Sequence, residues 1–355
     1  MRGFAEKRKA RALIAVAGLL VAASAVAAVS VSSAQAQSER SSKSEISGAG
    51  ATFPAPLIAV WQQRYEAAKG VKVNYNAIGS GGGIAAITQK TVDFGASDAP
   101  LSPDQFSACN GCVQIPWTAS ATSVAYNLQG AAPHLKITGP VLANIFLGKV
   151  KKWNDPSIKK LNPGANLPDT EITPIFRSDG SGTTYNFTDY LSKVSGEFKS
   201  KVGVGTQVNF STGVGGRGSS GVSAVLSRTN GGITYVDVAF AVKSHFSFFS
   251  VKNKAGKYQL PGTAQIRAAM ATVKHVTPDN KISIVDPKAA PQAYPISTFT
   301  YVILPTKSNN AAALRKFVFW GMTGGVKKYG PTLRFLQVPP KVLSASEKTL
   351  KKVHG

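Results

Sequence analysis

The stretch Ile172-Thr173-Pro174-Ile175-Phe176-Arg177-Ser178-Asp179-Gly180-Ser181-Gly182-Thr183-Thr184 reads as a strand, a tight polar loop and a helix start. Residues 172–176 are extended and apolar, and Phe187 and Leu191 beyond the loop lie one helical turn apart. A helix start leaves its first backbone N–H groups without partners and carries the positive end of the helix dipole. Glycines at 180 and 182 let an anion approach that backbone, and Ser181, Thr183 and Thr184 add hydroxyl donors. Arg177 offers two coplanar donors to a tetrahedral oxyanion, and Asp179 is placed to hold the guanidinium. Taken alone, the segment reads equally as an anion cradle or as an ordinary Ser-capped helix after a polar turn.

The same order of strand, glycine-rich turn and helix occurs twice upstream. Ile46 to Gly50 is a short strand leading into Ala51-Thr52-Phe53-Pro54, and Pro54 and Pro56 suit the first turn of a helix. That helix has Leu57, Val60, Trp61, Tyr65 and Ala68 on one face and Gly70 as its stop. Val71, Val73 and Tyr75 alternate as a strand, after which Gly79-Ser80-Gly81-Gly82-Gly83 opens a helix at Ile84. Residues 91–100 form another strand that ends on Ser97-Asp98-Ala99-Pro100, a sequence that also suits a loop-capping carboxylate. Three such turns, near Thr52, Ser80 and Ser181, point to one site assembled from several helix N-termini in an α/β fold.

The chain of 355 residues is long enough for about two domains. Its hydrophobic content of 43% is that of a folded protein, not a disordered one. A basic segment (Arg2, Lys7, Arg8, Lys9, Arg11), an apolar run from Ala12 to Val31 and Ala34-Gln35-Ala36 form a signal peptide, 1–36, cleaved after Ala36. Residues 37–44 read as a flexible tether. No Cys follows the apolar run, so a lipid anchor has no attachment point there, and the mature protein is expected in a periplasm or outside the cell. Residues 1–36 carry five bases and one acid, so the net charge of +24 becomes +20 after cleavage. The Lys and Arg are scattered, without the aromatic interleaving of a single-strand binder, and read as solvated surface. The two cysteines, Cys109 and Cys112, flank an Asn-Gly turn; a local disulfide or idle thiols suit them better than redox or zinc chemistry.

Enzyme signatures are missing. There is no Gly-x-Ser-x-Gly elbow, the four histidines are isolated, and the glycine loops lack the Lys of a P-loop. No cofactor or metal is expected. Gly213-x-Gly215-x-x-Gly218, with Asp237 beyond it, matches a dinucleotide fingerprint, but Thr229-Asn230-Gly231-Gly232 interrupts the required unit. It reads instead as a loop opening a helix at Val222, near the cleft. Ser297 to Leu304 reads as a strand, Ala311 to Trp320 as a helix with Ala312, Leu314, Phe317 and Val318 inward, and the Lys-rich tail from Lys341 as a solvated helix.

Several segments together resemble the periplasmic phosphate-binding proteins of Pst-type phosphate ABC transporters. They include Gly-Ala-Gly-Ala-Thr-Phe-Pro-Ala-Pro-Leu at 48–57, Ile-Gly-Ser-Gly-Gly-Gly at 78–83, Val-Asp-Phe-Gly-Ala-Ser-Asp-Ala-Pro-Leu at 92–101 and Arg-Ser-Asp-Gly-Ser-Gly-Thr at 177–183. The likeness continues in family order to about residue 305. It implies a two-lobed α/β fold, each lobe a mixed sheet flanked by helices, with the ligand in the interlobe cleft. Lobe 1 would comprise 45–125 and 296–355, and lobe 2 would comprise 126–295. The implied phosphate site is Thr52, Phe53, Ser80 and Asp98 from the first lobe and Arg177, Ser181, Gly182 and Thr183 from the second. The implied protein is a monomer and not an enzyme, with inorganic phosphate and the membrane permease as partners and no nucleic acid. Gly81 stands where relatives often carry another Ser.

A carboxylate in an anion pocket is consistent with a ligand that still carries a proton. Asp98 would accept a hydrogen bond from P–OH while every other group donates. Sulfate, which has no proton to give, would leave a buried lone pair facing an oxygen, enough for discrimination of ~10³ or more. The competing classes are a secreted phosphate-ester enzyme and a basic adhesion protein of the envelope or of nucleic acid.

Overall fold

A computed structural model describes residues 45–355. The signal peptide expected at 1–36 and the tether at 37–44 lie outside the described residues. Strands β1 (Glu45–Gly50), β2 (Lys72–Ala77) and β3 (Phe94–Ser97) are parallel. They are joined by helices α1 (Ala55–Lys69) and α2 (Ser80–Thr88). Gly70 ends α1 in the left-handed region at φ 68°, as a glycine stop requires. Helix α3 (Pro103–Cys109) starts with a capping box between Ser102 and Gln105 and closes on the Cys109–Cys112 disulfide. Strand β4 (Cys112–Asn127) follows and runs for 16 residues.

The middle of the chain contributes β5 (Thr173–Arg177), α4 (Gly182–Val194), β6 (Val214–Gly216), α5 (Gly218–Arg228), β7 (Gly232–Asp237) and α6 (Val238–Lys243). The chain then returns through β8 (Ser297–Pro305), α7 (Ala311–Trp320) and α8 (Pro340–Leu350). The main sheet has the order β2-β1-β3-β8-β4-β7-β5-β6. Its continuity depends on β4, which pairs with β8 up to Ala121 and with β7 from Thr122 onward. The two halves of the α/β fold therefore share one strand. Strands β1–β3 run with β4 and β5–β7 run against it, so the carboxyl ends of the two parallel sets face each other. Ligands of open α/β sheets bind at that edge.

Each half has its own aromatic core. Trp61 stands edge-on to Trp117 at 5.2 Å and to Phe317 at 6.4 Å. In the other half Phe187 stacks on Tyr235 at 4.4 Å, with Phe146 edge-on to Phe187 at 4.8 Å. The buried face of α1 is Leu57, Ile58, Trp61 and Tyr65; Ala68 is exposed, not inward. On α7 it is Ala311, Leu314, Phe317 and Val318, with Ala312 outward. Helix α8 is not merely solvated. Val342, Ser346, Thr349 and Leu350 are buried, and Ser346 Oγ donates to the Pro116 carbonyl at 2.9 Å. Its lysines stay in water while the opposite face packs.

Candidate anion-binding site

Four helix starts converge where the two halves meet. The Gly182 N–H at the start of α4 donates to Ser80 Oγ, the first residue of α2, at 3.0 Å. The Gly81 N–H crosses the other way to the Gly180 carbonyl at 2.9 Å. Just before α1, Thr52 Oγ1 accepts from the Ser219 N–H at 3.1 Å and bonds Ser219 Oγ at 2.9 Å. The Gly218 N–H at the start of α5 donates to Asp179 Oδ1 at 2.9 Å. Asn186, one turn into α4, donates to the Asp98 carbonyl at 3.0 Å and accepts from Thr298 of β8 at 3.0 Å.

This approach depends on missing side chains. A Cβ on Gly182 would come within 2.7 Å of the backbone of Asp98 and Ala99, and one on Gly79 within 2.3 Å of Asp179 Oδ2. No neighbour can yield to the first of these, because all the atoms it meets are main chain.

Charge is distributed unevenly over the site. Arg177 is buried and binds Asp179 in two-pronged fashion, Nε to Oδ1 at 2.7 Å and Nη2 to Oδ2 at 2.5 Å. Burial alone would raise Asp179, but the guanidinium and the Gly218 N–H outweigh it and hold its carboxyl below the usual range. Tyr235 accepts from the Arg177 N–H at 3.1 Å and bonds Thr184 Oγ1 at 2.8 Å; burial pushes its phenol up to about 12. Asp98 has the opposite environment. It is fully buried, and desolvation outweighs Arg177 and the Ser80 hydroxyl, so its carboxyl rises to about 8. Asp98 Oδ1 and Thr183 Oγ1 are buried without a protein hydrogen-bond partner. An acceptor and a hydroxyl left so at a junction of helix starts fit a small oxyanion that carries a proton.

A family model described as a PBP superfamily domain matches residues 32–323. The phosphate-binding protein PstS of Xylella fastidiosa is 40% identical over 307 residues, covering 85% of this chain and 84% of the relative. The chain belongs to the Pst-type phosphate-binding protein family. The PstS of Pasteurella multocida is 41% identical over 302 residues, 84% of this chain and 87% of that one. Among solved structures, a phosphate-bound periplasmic phosphate-binding protein, PfluDING, aligns with a TM-score of 0.68 at 23% identity, covering 86% of this chain and 92% of that one. The phosphate-binding protein of Stenotrophomonas maltophilia gives 0.67 at 19%, with 86% and 93% covered. These two matches show a shared fold.

Within this family frame, Thr52, Ser80, Asp98, Arg177, Ser181, Gly182 and Thr183 all lie buried around the junction. Phe53 follows Thr52 in the chain, and its ring packs away into the core, edge-on against Phe335 at 5.9 Å. Ser181 Oγ is engaged as the helix cap, accepting from the Thr184 N–H at 3.2 Å. At Gly81 a Cβ would sit 3.1 Å from Gly180 Cα, so the seam is tight where relatives often carry Ser. Sequence reasoning placed Gly218 near the cleft but did not name Ser219 as the partner of Thr52. The short strand Val214-Gly215-Gly216, then Arg217 and Gly218-Ser219-Ser220 at a helix start, was the available signal. The dinucleotide unit that 213–218 and Asp237 suggested does not form: the glycine run contains strand β6 instead of following a strand, and β5 lies between β6 and β7 in the sheet. Among the described residues no group of three or more metal-ligating side chains forms, and no helix is long and apolar enough to cross a membrane.

Proposed function

We propose that this protein captures inorganic phosphate between its two halves and delivers it to the membrane permease of an ABC transporter. It works outside the cytoplasm as a monomer, after cleavage behind Ala36, and it performs no chemistry on its ligand. The observation that carries the reading is the buried, unpartnered Asp98 oxygen within the field of Arg177 and among convergent N–H groups. Phosphate retains a P–OH at neutral pH and gives that oxygen a donor. Its other oxygens take the Arg177 guanidinium, the backbone of Phe53, Gly182 and Thr183, and the hydroxyls of Thr52, Ser80, Ser181 and Thr183. Residues 45–125 with 296–355 form one lobe and 126–295 the other, and each holds only part of the donor set. Ligand therefore selects the closed arrangement. Homologues 40% identical over most of the chain are named phosphate-binding proteins, which supports carriage over catalysis.

Calorimetric titration of anion-stripped mature protein with phosphate and then sulfate at neutral pH tests this. One-to-one phosphate binding is expected, with sulfate at least ~10³-fold weaker. Asp98→Asn, which can donate where the carboxylate only accepts, should bind sulfate measurably. Silence toward phosphate would end the reading.

A further inference from the structure

A carboxyl that the phosphate reading does not use stands at the same edge of the sheet. Asp237 is the last residue of β7, whose carboxyl end faces those of β1 and β3, and it is fully buried. One oxygen, Oδ1, accepts from the Phe240 N–H at 3.1 Å; the other, Oδ2, has no hydrogen-bond partner. In the β4–β7 ladder Asp237 lies opposite Thr122, where β4 passes from one half of the sheet to the other. The Thr122 hydroxyl is likewise buried and unpartnered, and the Tyr294 hydroxyl holds the Thr122 carbonyl at 3.0 Å. The charged groups within electrostatic range are Asp98, from the loop after β3, and Arg177, at the end of β5. The start of α6 contributes the N–H groups of Ala239 and Phe240.

Two buried carboxyls in range of one another and of a bound anion cannot both be ionised at reasonable cost. The surroundings assign the roles. Each carboxyl has one unpartnered oxygen and each feels Arg177, but only Asp98 has a side-chain donor, the Ser80 hydroxyl, which favours charge on Asp98 and leaves the proton to Asp237. Burial, reinforced by the charge of Asp98, outweighs the Phe240 and Ala239 N–H groups and the Arg177 guanidinium and keeps the Asp237 carboxyl well above the usual range, in agreement with that division.

We propose that Asp237 is a positioning residue of the anion site, holding a proton while phosphate is bound so that Asp98 serves as the sole carboxylate acceptor. This rests on the phosphate reading above. Bound anion strengthens the hold on that proton. Where Asp237 is ionised in the free protein, binding phosphate takes a proton up and affinity falls by about tenfold per pH unit.

The test is calorimetric titration of the mature chain with inorganic phosphate from about pH 6 to about pH 10, in buffers of two different protonation heats, for wild type and Asp237→Asn. Asn keeps the helix cap and mimics the neutral acid. Its plot of log affinity against pH should be shallower at the alkaline end by up to about one, with correspondingly less proton uptake. A merely structural weakening would shift the plot in parallel, and a parallel or superimposed plot overturns the proposal. If the Asn chain does not fold, Asp237→Ser must show the same flattening. Infrared spectra give an independent reading: the wild-type phosphate complex at neutral pH should show a protonated carboxylic acid carbonyl stretch that the Asp237→Asn complex lacks, and absence of that difference overturns the proposal. A wild type that ignores phosphate would instead remove the function itself.

Discussion

The two walls of the junction use the same residue type for opposite ends. On the middle wall, Asp179 is clamped by Arg177 and the Gly218 N–H and stays ionised. On the early wall, Asp98 is buried with one oxygen unpartnered and is pushed up to about 8. Asp179 spends its charge within the protein, orienting a guanidinium. Asp98 keeps its acceptor for something from outside. A carboxylate's role is thus set by whether the fold satisfies it, and its distance from a cation alone does not distinguish the two.

Arg177→Met breaks the comparison most severely. It removes the full positive charge that Arg177 brings to the site and leaves Asp179 half-buried with only backbone support. Phosphate affinity measured by calorimetry should fall by at least ~10³-fold, since truncating one partner of a buried hydrogen-bonded pair costs several kcal/mol. If Arg177→Met binds within tenfold of wild type, on the order of 1.4 kcal/mol, the charge assignment is wrong.

Gly182→Ala keeps every polar group and tests whether the walls must touch. Its Cβ would sit 2.7 Å from the backbone of Asp98 and Ala99, so the halves cannot meet as they do. Affinity should drop by about 10²-fold, because overpacking of this kind costs roughly 1–3 kcal/mol. Small-angle scattering with phosphate should report a more open particle than the wild type. An unchanged profile would show that the seam adapts.

The smallest effect concerns Asp98 without ligand. Its folded-state carboxyl titrates near 8, above the usual 3.8, so the folded protein binds the extra proton between those values. Stability owed to that proton is present at acid pH and is lost as pH rises through that window. Asp98→Asn removes the titration. In phosphate-free thermal melts the variant should therefore gain on wild type from pH 4 toward pH 8 and stay level beyond. A gain at acid pH instead would reverse the sign and sink the argument.

Much of this was legible in the chain because the signals are local. Pro and Gly mark the start and end of α1, and Ser181 caps α4. The glycine turns announce the junction, since only residues without side chains permit such close contact. Strand β4 was harder to read. Pro116 lies inside it, and proline argues against a central strand. The structure accommodates Pro116 opposite Tyr301, beside a register shift between Tyr301 and Thr300, which no pattern in residues 112–127 reveals. Helix α3 had a readable capping box, Ser102 to Gln105, masked by the turn signals after it. The packed face of α8 was hidden because Val342, Ser346 and Thr349 are separated by Leu343-Ser344-Ala345 and Glu347-Lys348 and come together only at the helical period. Asp237 followed a strand and preceded a helix as the other site residues do, but its Val and Ala neighbours gave no sign of a polar site.

Strand β4 has a consequence for how such a protein can be inherited and rebuilt. Residues up to Ala121 complete one half of the sheet and residues from Thr122 complete the other, with no linker between them. Neither half can be excised as a free-standing module without removing a strand from its neighbour. Recombination that changes the specificity of one wall must therefore carry β4 across intact. A chimera cut at 121/122 would splice two ladders, whereas one cut in an exposed loop such as that at Gly164 would splice only a turn.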